Sequence, residues 1–384
     1  MHFSLLDLRR LLPVALLALA VSCGPAKTTD GGETVIDSFS TKTNASFFQD
    51  VFSDIRAVPL QTGDFALGRS SALSLKDKGG KYILADTEAN AVYTFDHTGK
   101  LQGRILKVGR GPGEYTQLQD CEYADGKYIV LADGGHVIEY DGQGGLLREF
   151  TLERDLMDLA LVDGQPVLLA SRYDGGMEGE SDKILVCDAD YQPVSSFCPQ
   201  GFQLFNYASS LVPVAGEAGT FLYLEPLSAK LRKCNKEGLL STYRIDFKGK
   251  EMPEAILQSE DYEQILSIMT KTPDIYCCSK AYENSDYLLL ALEHLSSGDE
   301  TRRGQWLVKK SDGSSRVEYF DYNGDVFAFL GTPLMLTEQD EVVYIVDTSL
   351  FASAVAGMPE LTALGDCLDA SESESVLLIC KIGQ

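Results

Sequence analysis

Gly80–Lys100 reads GKYILADTEANAVYTFDHTGK, and Gly126–Gly145 reads GKYIVLADGGHVIEYDGQGG. Each opens on an apolar run closing in Ala-Asp, crosses a polar turn, continues as an alternating run and ends in Asp-x-x-Gly. Such apolar and alternating runs, bounded by turns, are the pattern of strands. In Asp96-x-x-Gly99 and Asp141-x-x-Gly144 the aspartate can bond its own backbone and glycine tolerates positive φ, so both read as tight turns. Lys81 and Lys127 lie 46 residues apart. That period suits one four-stranded propeller blade.

Weaker copies follow. QPVLLAS from Gln165 and ILVCDADY from Ile184 form a third unit, and TFLYLE from Thr220 with LRKCNKEG from Leu231 a fourth. DYLLLALE from Asp286 with LVKKSDG from Leu307 gives a fifth, and EVVYIVDT from Glu341 with the terminal VLLICKI a sixth. Six units average about 58 residues each, blade-sized once insertions are allowed. The expected fold is an all-β, six-bladed β-propeller with one or two short helical insertions. A two-sheet sandwich would not explain the recurring order. Within the insertions, Ser259–Lys271 has a capping serine and a Tyr262, Ile265, Leu266, Met269 stripe, which predicts an amphipathic helix that packs on the rim or covers the channel. Phe351–Leu364 carries weaker helical signals.

Gly109–Tyr115 reads GRGPGEY, which looks like a phosphate loop. No Gly-Lys-Ser/Thr triplet follows and no helical pattern begins, while Pro112 removes an amide that a phosphate nest would use. The stretch therefore reads as a joint between blades, where Glu114 either pairs with Arg110 or bonds loop amides. GPGEY followed by GKYIVLAD, a second strand and Asp-x-x-Gly resembles an NHL-type propeller repeat. With ALGRSSALSL near Leu67 and the ILAD strand, it resembles the six-bladed propeller lipoproteins of Bacteroidetes, chiefly over Val58–Gly145. The resemblance implies a six-bladed disc, attachment through a lipidated cysteine and no common reaction. It places Arg69, Arg110, Glu114 and Tyr115 at recurring motif positions.

At the N terminus, Arg9 and Arg10 precede an eleven-residue apolar run, Leu11–Val21, too short to span a bilayer. Ala20-Val21-Ser22-Cys23 resembles a bacterial lipobox, with alanine in place of the usual leucine. The expected organisation is a lipoprotein signal peptide over 1–22, a lipidated N terminus and tether over 23–45, and the propeller over 46–384. Cys23 would be the lipid attachment site at the outer membrane, on a face left open. Without the signal the chain has 31 basic and 56 acidic residues, a formal charge of −25. Such acidity disfavours nucleic acid, whose affinity comes mainly from neutralised phosphates. The other eight cysteines show no metal spacing. Cys187 and Cys234 read as small buried residues in equivalent strands, and Cys367 with Cys380 as a possible pair.

Few residues suggest chemistry. His97, His136 and His294 have no motif partners. Asp86 and Asp133 end equivalent strands, taken as inner ones, and either cap the following turns or gather in the channel as ligands for a cation or hydroxyl-rich molecule. Asp321, Asn323 and Asp325 partly resemble a calcium loop but lack its glycine and glutamate, and an Asn-Gly hairpin explains them more simply. No metal or cofactor is expected. The candidate ligand-binding residues are Arg69, Asp86, Arg110, Glu114, Tyr115, Asp133 and His136. The expected function is a non-enzymatic envelope module binding a protein, peptide or carbohydrate. The alternative is a hydrolase or lyase at the channel mouth, using Asp86, Asp133 or His136.

Overall fold

Six sheets stand in a ring, each built on four antiparallel strands, in a computed structural model that describes residues 27–29, 32–171, 182–199, 210–225, 227–253, 256, 262–272, 274–296, 302–320, 331–355 and 374–383. Blade 1 comprises Leu73–Lys78, Lys81–Asp86, Ala91–Asp96 and Leu101–Ile105. Blade 2 comprises Leu118–Ala124, Lys127–Ala132, His136–Asp141 and Leu146–Thr151. Blade 3 uses Leu156–Val162, Gln165–Ala170, Asp182–Cys187 and Pro193–Pro199, and blade 4 uses Leu211–Pro213, Thr220–Leu224, Lys230–Asn235 and Gly238–Ile245. Blade 5 is Asp274–Glu283, Tyr287–Ser296, Arg302–Lys309 and Ser315–Phe320. Blade 6 takes Met335–Leu336, Glu341–Asp347 and Ser375–Ile382 from the C-terminal end, and its outer strand, Phe52–Leu60, from the N-terminal end.

The first strand of each blade lies nearest the axis, because first strands of successive blades adjoin one another. The apolar runs expected to be inner, such as Lys81–Asp86 and Lys127–Ala132, are second strands. They are apolar throughout because both faces are covered. In blade 1, Tyr82 and Leu84 pack towards blade 6, whereas Ile83 and Ala85 pack towards blade 2. Six apolar clusters result, each shared by two neighbouring blades.

The Asp-x-x-Gly stretches close the hairpins between third and fourth strands. Asp96 accepts the amides of Thr98 (2.9 Å) and Lys100 (3.2 Å), and Asp141 those of Gln143 and Gly145 (both 2.8 Å). Asp188 does the same with Asp190 and Gln192 (both 2.9 Å), where Tyr191 takes the left-handed position that glycine fills elsewhere. In blades 1 to 4 a bulge in the pairing of third and fourth strands accompanies this turn. Cys187 and Cys234 are fully buried near the ends of third strands, as expected.

Residues 33–45, expected in the tether, are instead strapped to the disc. Glu33–Ile36 pairs in parallel with the outer strand of blade 4. Phe39 then packs edge-on against Phe247 at 4.9 Å and Tyr276 at 5.0 Å. Asn44 exchanges bonds with Val317 of blade 5, accepting its amide at 2.7 Å and donating its own at 3.0 Å. Helix α1 (Tyr262–Lys271) occupies the expected insertion, with Ser259 and the stripe side chains outside the described residues. Helix α2 (Thr348–Val355) begins three residues before the weaker helical stretch, whose residues 356–364 are outside the described set. Cys23, Cys367 and the Asp321–Asp325 segment also lie outside it, while Cys380 is buried.

Gly99 forms part of the contact between blade 1 and the closing strand. Its φ is +83°, and an added Cβ would lie 2.0 Å from the Pro59 carbonyl oxygen. At Gly80, with φ +75°, a Cβ would meet nothing within 4 Å. Gly80→Ala should therefore show only the backbone strain of about 1–3 kcal/mol. Gly99→Ala should cost clearly more in a denaturant titration, because it also pushes the closing strand away. Equal losses would contradict this contact.

Candidate ligand sites at the blade joint and on the propeller axis

The GRGPGEY segment crosses from blade 1 to blade 2 as a tight loop. Tyr115 donates its amide to Lys107 (2.9 Å), Gly109 donates to Tyr115 (2.9 Å), and Glu114 donates to Gly111 (3.0 Å). The loop does cradle an anion, and the anion is its own. Glu114 accepts the Gly111 amide at 2.8 Å, and a Cβ at Gly109 would fall 2.0 Å from its Oε2. Of the two expected roles for Glu114, bonding loop amides is the one found. Glu149 accepts the Gly113 amide at 2.8 Å, and Tyr140 donates its hydroxyl to the Gly113 carbonyl at 2.8 Å. Tyr115 is fully buried and donates to the Asn90 carbonyl at 3.0 Å, and burial pushes its phenol up.

Arg110, Glu114, Asp133 and His136 come together around one open pocket of ≈ 570 Å³, joined by Thr116 and Glu149. Asp133 accepts the amides of Thr116 (3.0 Å) and Gln117 (2.8 Å) and the Thr116 hydroxyl. Burial opposes ionisation there, but these bonds win and hold the carboxyl below its ordinary range. His136 Nε2 lies 3.6 Å from Glu149. Arg69 and Asp86 stand apart. Arg69 is on the rim, 3.3 Å from Glu88 with its side chain 82% exposed. Asp86 is buried at the end of a second strand and accepts the amides of Gly68 (2.8 Å), Glu88 (3.0 Å) and Ala89 (2.9 Å). Both aspartates therefore hold turns. Each of the three described histidines faces a carboxylate, with His97 3.1 Å from Asp77 and His294, inside its strand, 2.9 Å from Asp274.

The first strands carry a polar cluster that had not been anticipated. The Lys76 ammonium of blade 1 lies 2.7 Å from Asp120 and 3.1 Å from Glu122 of blade 2, and it donates to the Cys121 carbonyl at 2.9 Å. Burial would lower its pKa, but Asp120, Glu122 and Asp158 outweigh that and hold it well above the usual lysine value. Asp158 of blade 3 accepts the Leu211 amide of blade 4 at 2.7 Å. Burial, then the charge of Asp120 and a hydrogen bond with it, raise Asp158 well above the ordinary carboxylate range. Lys280 of blade 5 faces the same space, and burial lowers its pKa.

A β-bulge directly precedes three of these groups. Gln119, Met157 and Ser279 are the extra residues before Asp120, Asp158 and Lys280. An extra residue in one strand re-aims the next side chain. The groups surround a cavity of ≈ 250 Å³ with apolar walls from Leu75, Met157, Leu211 and Leu334. One signal was readable in the sequence. Leu118-Gln-Asp120 and Leu156-Met-Asp158 repeat the same Leu-x-Asp step ahead of the recognised strands.

Residues 34–369 match the family model of a domain of unknown function, DUF4934. A Bacteroides fragilis protein predicted to be exported has a similar solved structure, with a TM-score of 0.69 at 16% identity over 92% of this chain and 100% of that one. A DUF4221 family member from Bacteroides vulgatus gives a TM-score of 0.53 at 9% identity over 87% and 98%. Both share the fold and come from Bacteroides, in keeping with the resemblance carried by GPGEY. No curated protein matches the chain.

Two sets of variants test this geometry. Gly109→Ala and Glu114→Ala disturb the same cradle, so each should cost about 1 kcal/mol and the pair little more than either alone. Additive losses in a double-mutant cycle would refute the cradle. Lys76→Met leaves Asp120 and Glu122 uncompensated and should cost about 3–5 kcal/mol. A carboxyl whose pKa is raised in the fold binds more protons there than in the unfolded chain above about pH 4. Its contribution is therefore lost as pH rises through the raised Asp158 range. Asp120→Asn removes the neighbouring charge and offers an amide donor to Asp158. The stability of this variant relative to wild type should grow as pH rises from 4 towards neutrality, followed by thermal melts across that range.

Proposed function

Because the chain belongs to the DUF4934 family and forms a six-bladed propeller, we propose that it is an exported, lipid-anchored binding module of the cell envelope. Its partner is an envelope protein, peptide or carbohydrate, bound without being transformed. The observation that carries this reading is the axial cavity. Four blades supply its Lys76, Asp120, Asp158 and Lys280, and a fifth donates the Leu211 amide. A concave apolar wall with a few prepositioned polar groups is the composition of a recognition site. The open pocket at the blade joint adds Arg110 and His136 on the surface. Asp86 and Asp133, the carboxylates considered for hydrolysis or elimination, are taken up by backbone amides.

Export is supported by the basic-then-apolar leader over 1–22 and by the description of the Bacteroides fragilis structural relative. Anchoring is supported by Ala20-Val21-Ser22-Cys23, a few residues ahead of Lys27–Thr29, which pairs with Glu33–Val35 on the edge of blade 4. Stable attachment needs more than one acyl chain, and a lipidated N-terminal cysteine would supply it.

Labelling cells that express the full chain with a palmitate analogue should mark the wild type and leave Cys23→Ala unmarked but folded. A label that persists in Cys23→Ala would end the anchoring proposal. Fractionated envelope proteins and polysaccharides should be retained saturably by the purified chain and recovered unaltered. Turnover that disappears in Asp86→Ala or Asp133→Ala would instead establish catalysis.

A further inference from the structure

The axial cavity combines unmatched acceptors with an under-matched donor. Among the described residues, Gln119 Oε1 and Ser210 Oγ are buried there without a hydrogen-bond partner. Lys280 Nζ meets, among the described residues, only the Leu73 carbonyl, at 3.5 Å, and no carboxylate within ion-pair distance. Of the other channel charges, Lys76 is matched by Asp120 and Glu122 and Asp158 accepts the Leu211 amide, while Asp120 Oδ1 is a further buried acceptor without a donor among the described residues. A buried acceptor without a donor is destabilising, so an occupant that donates to Gln119 and Ser210 and accepts from Lys280 would be favoured.

Three small chemistries can be compared on this basis. A carboxylate would satisfy Lys280 and accept from the Ser210 hydroxyl, but it would leave Gln119 Oε1 without a donor. An alkylammonium would donate to Gln119 and leave Lys280 unmatched. A hydroxyl both donates and accepts, so adjacent hydroxyls on one ring can serve all three groups. The size agrees: ≈ 250 Å³ is the share of about eight waters, room for one small ring. The apolar wall of Leu75, Met157, Leu211 and Leu334 suits the C–H face of such a ring.

We infer that the axial cavity binds one hydroxyl-rich six-membered ring, either a free hexose or the terminal residue of a glycan. The inference rests on the binding-module reading and names the ligand class of that site. Gln119 and Ser210 accept from ring hydroxyls, Lys280 donates to one, and the bulges at Gln119 and Ser279 set the spacing between donor and acceptors.

The purified full chain would be titrated by calorimetry and saturation-transfer NMR with glucose, galactose, mannose and N-acetylglucosamine. Their methyl glycosides would stand for a glycan terminus, with glycine, acetate and methylammonium as competing chemistries. At least one sugar should bind saturably. Gln119→Leu and Lys280→Met should each weaken it about tenfold, the size of one net hydrogen bond. Both variants should keep wild-type melting temperatures, because neither side chain has a strong protein partner, and Arg316→Ala, on the outer strand of blade 5, should leave sugar binding unchanged. Binding of the free sugar alone would identify a reducing sugar, whereas binding of its methyl glycoside would identify a glycan end. Binding of glycine, acetate or methylammonium in place of every sugar would overturn the inference, as would no sugar binding at millimolar concentration. If sugars fail while an envelope fraction is still retained, only the ligand class is wrong. If neither binds, the module reading fails too.

Discussion

The fold depends on blade-to-blade packing. Each second and third strand sends alternate side chains to two different neighbours, and no described blade has an apolar interior of its own. A single twisted sheet of four short strands is weak in water, so each blade needs the next. The ring is completed where Ser375–Ile382 pairs with Phe52–Leu60, from residue 60 opposite 375 to residue 52 opposite 382. Through that one ladder the apolar faces of blades 6 and 1 meet, with Leu60 and Leu377 in the same cluster as Leu84 and Tyr93.

The same closed ring explains what the axis can carry. First strands from neighbouring blades approach closely enough for Lys76 of blade 1 to reach the Leu159 carbonyl of blade 3 at 3.4 Å. Charges on the axis are thus neutralised between blades, and a buried ion pair needs such additional bonds to offset its desolvation. Glu283 shows the same device between blades 4 and 5, where Lys233 (3.1 Å), Lys310 (2.6 Å) and the Tyr243 hydroxyl (2.9 Å) converge on it.

Much of the architecture was legible because it rests on local rules. Strand alternation and the Asp-x-x-Gly turns located six blades, and the missing lysine and the proline ruled out a nucleotide loop before any geometry was known. What stayed hidden depends on which strand faces the axis. The most apolar strand in a blade is the one covered on both faces, so Lys81–Asp86 attracted attention as an inner strand. The real axial strands, such as Leu118–Ala124, are more polar and interrupted by bulges. The site residues divide in the same way. Arg110, Glu114, Asp133 and His136 could be picked out because they neighbour a recognisable loop, and they share one pocket. Lys76, Asp120, Asp158 and Lys280 lie up to 204 positions apart and acquire meaning only when the ring closes. Glycine supplied a false lead for a similar reason. Gly109 and Gly111 leave room for an anion, and the sequence does not say that Glu114 fills it.

The shared composition of blade 6 has a consequence for the order of events during synthesis. Phe52–Leu60 is made early, yet its ladder partner is among the last ten residues of the chain. Blades 1 to 5 can pair their strands locally as they emerge, but the edge of Phe52–Leu60 must wait for nearly the whole remaining sequence. Contacts of such long sequence separation form slowly and leave a strand edge exposed meanwhile. A chain built this way stays short of its native ring until Ser375–Ile382 has been made.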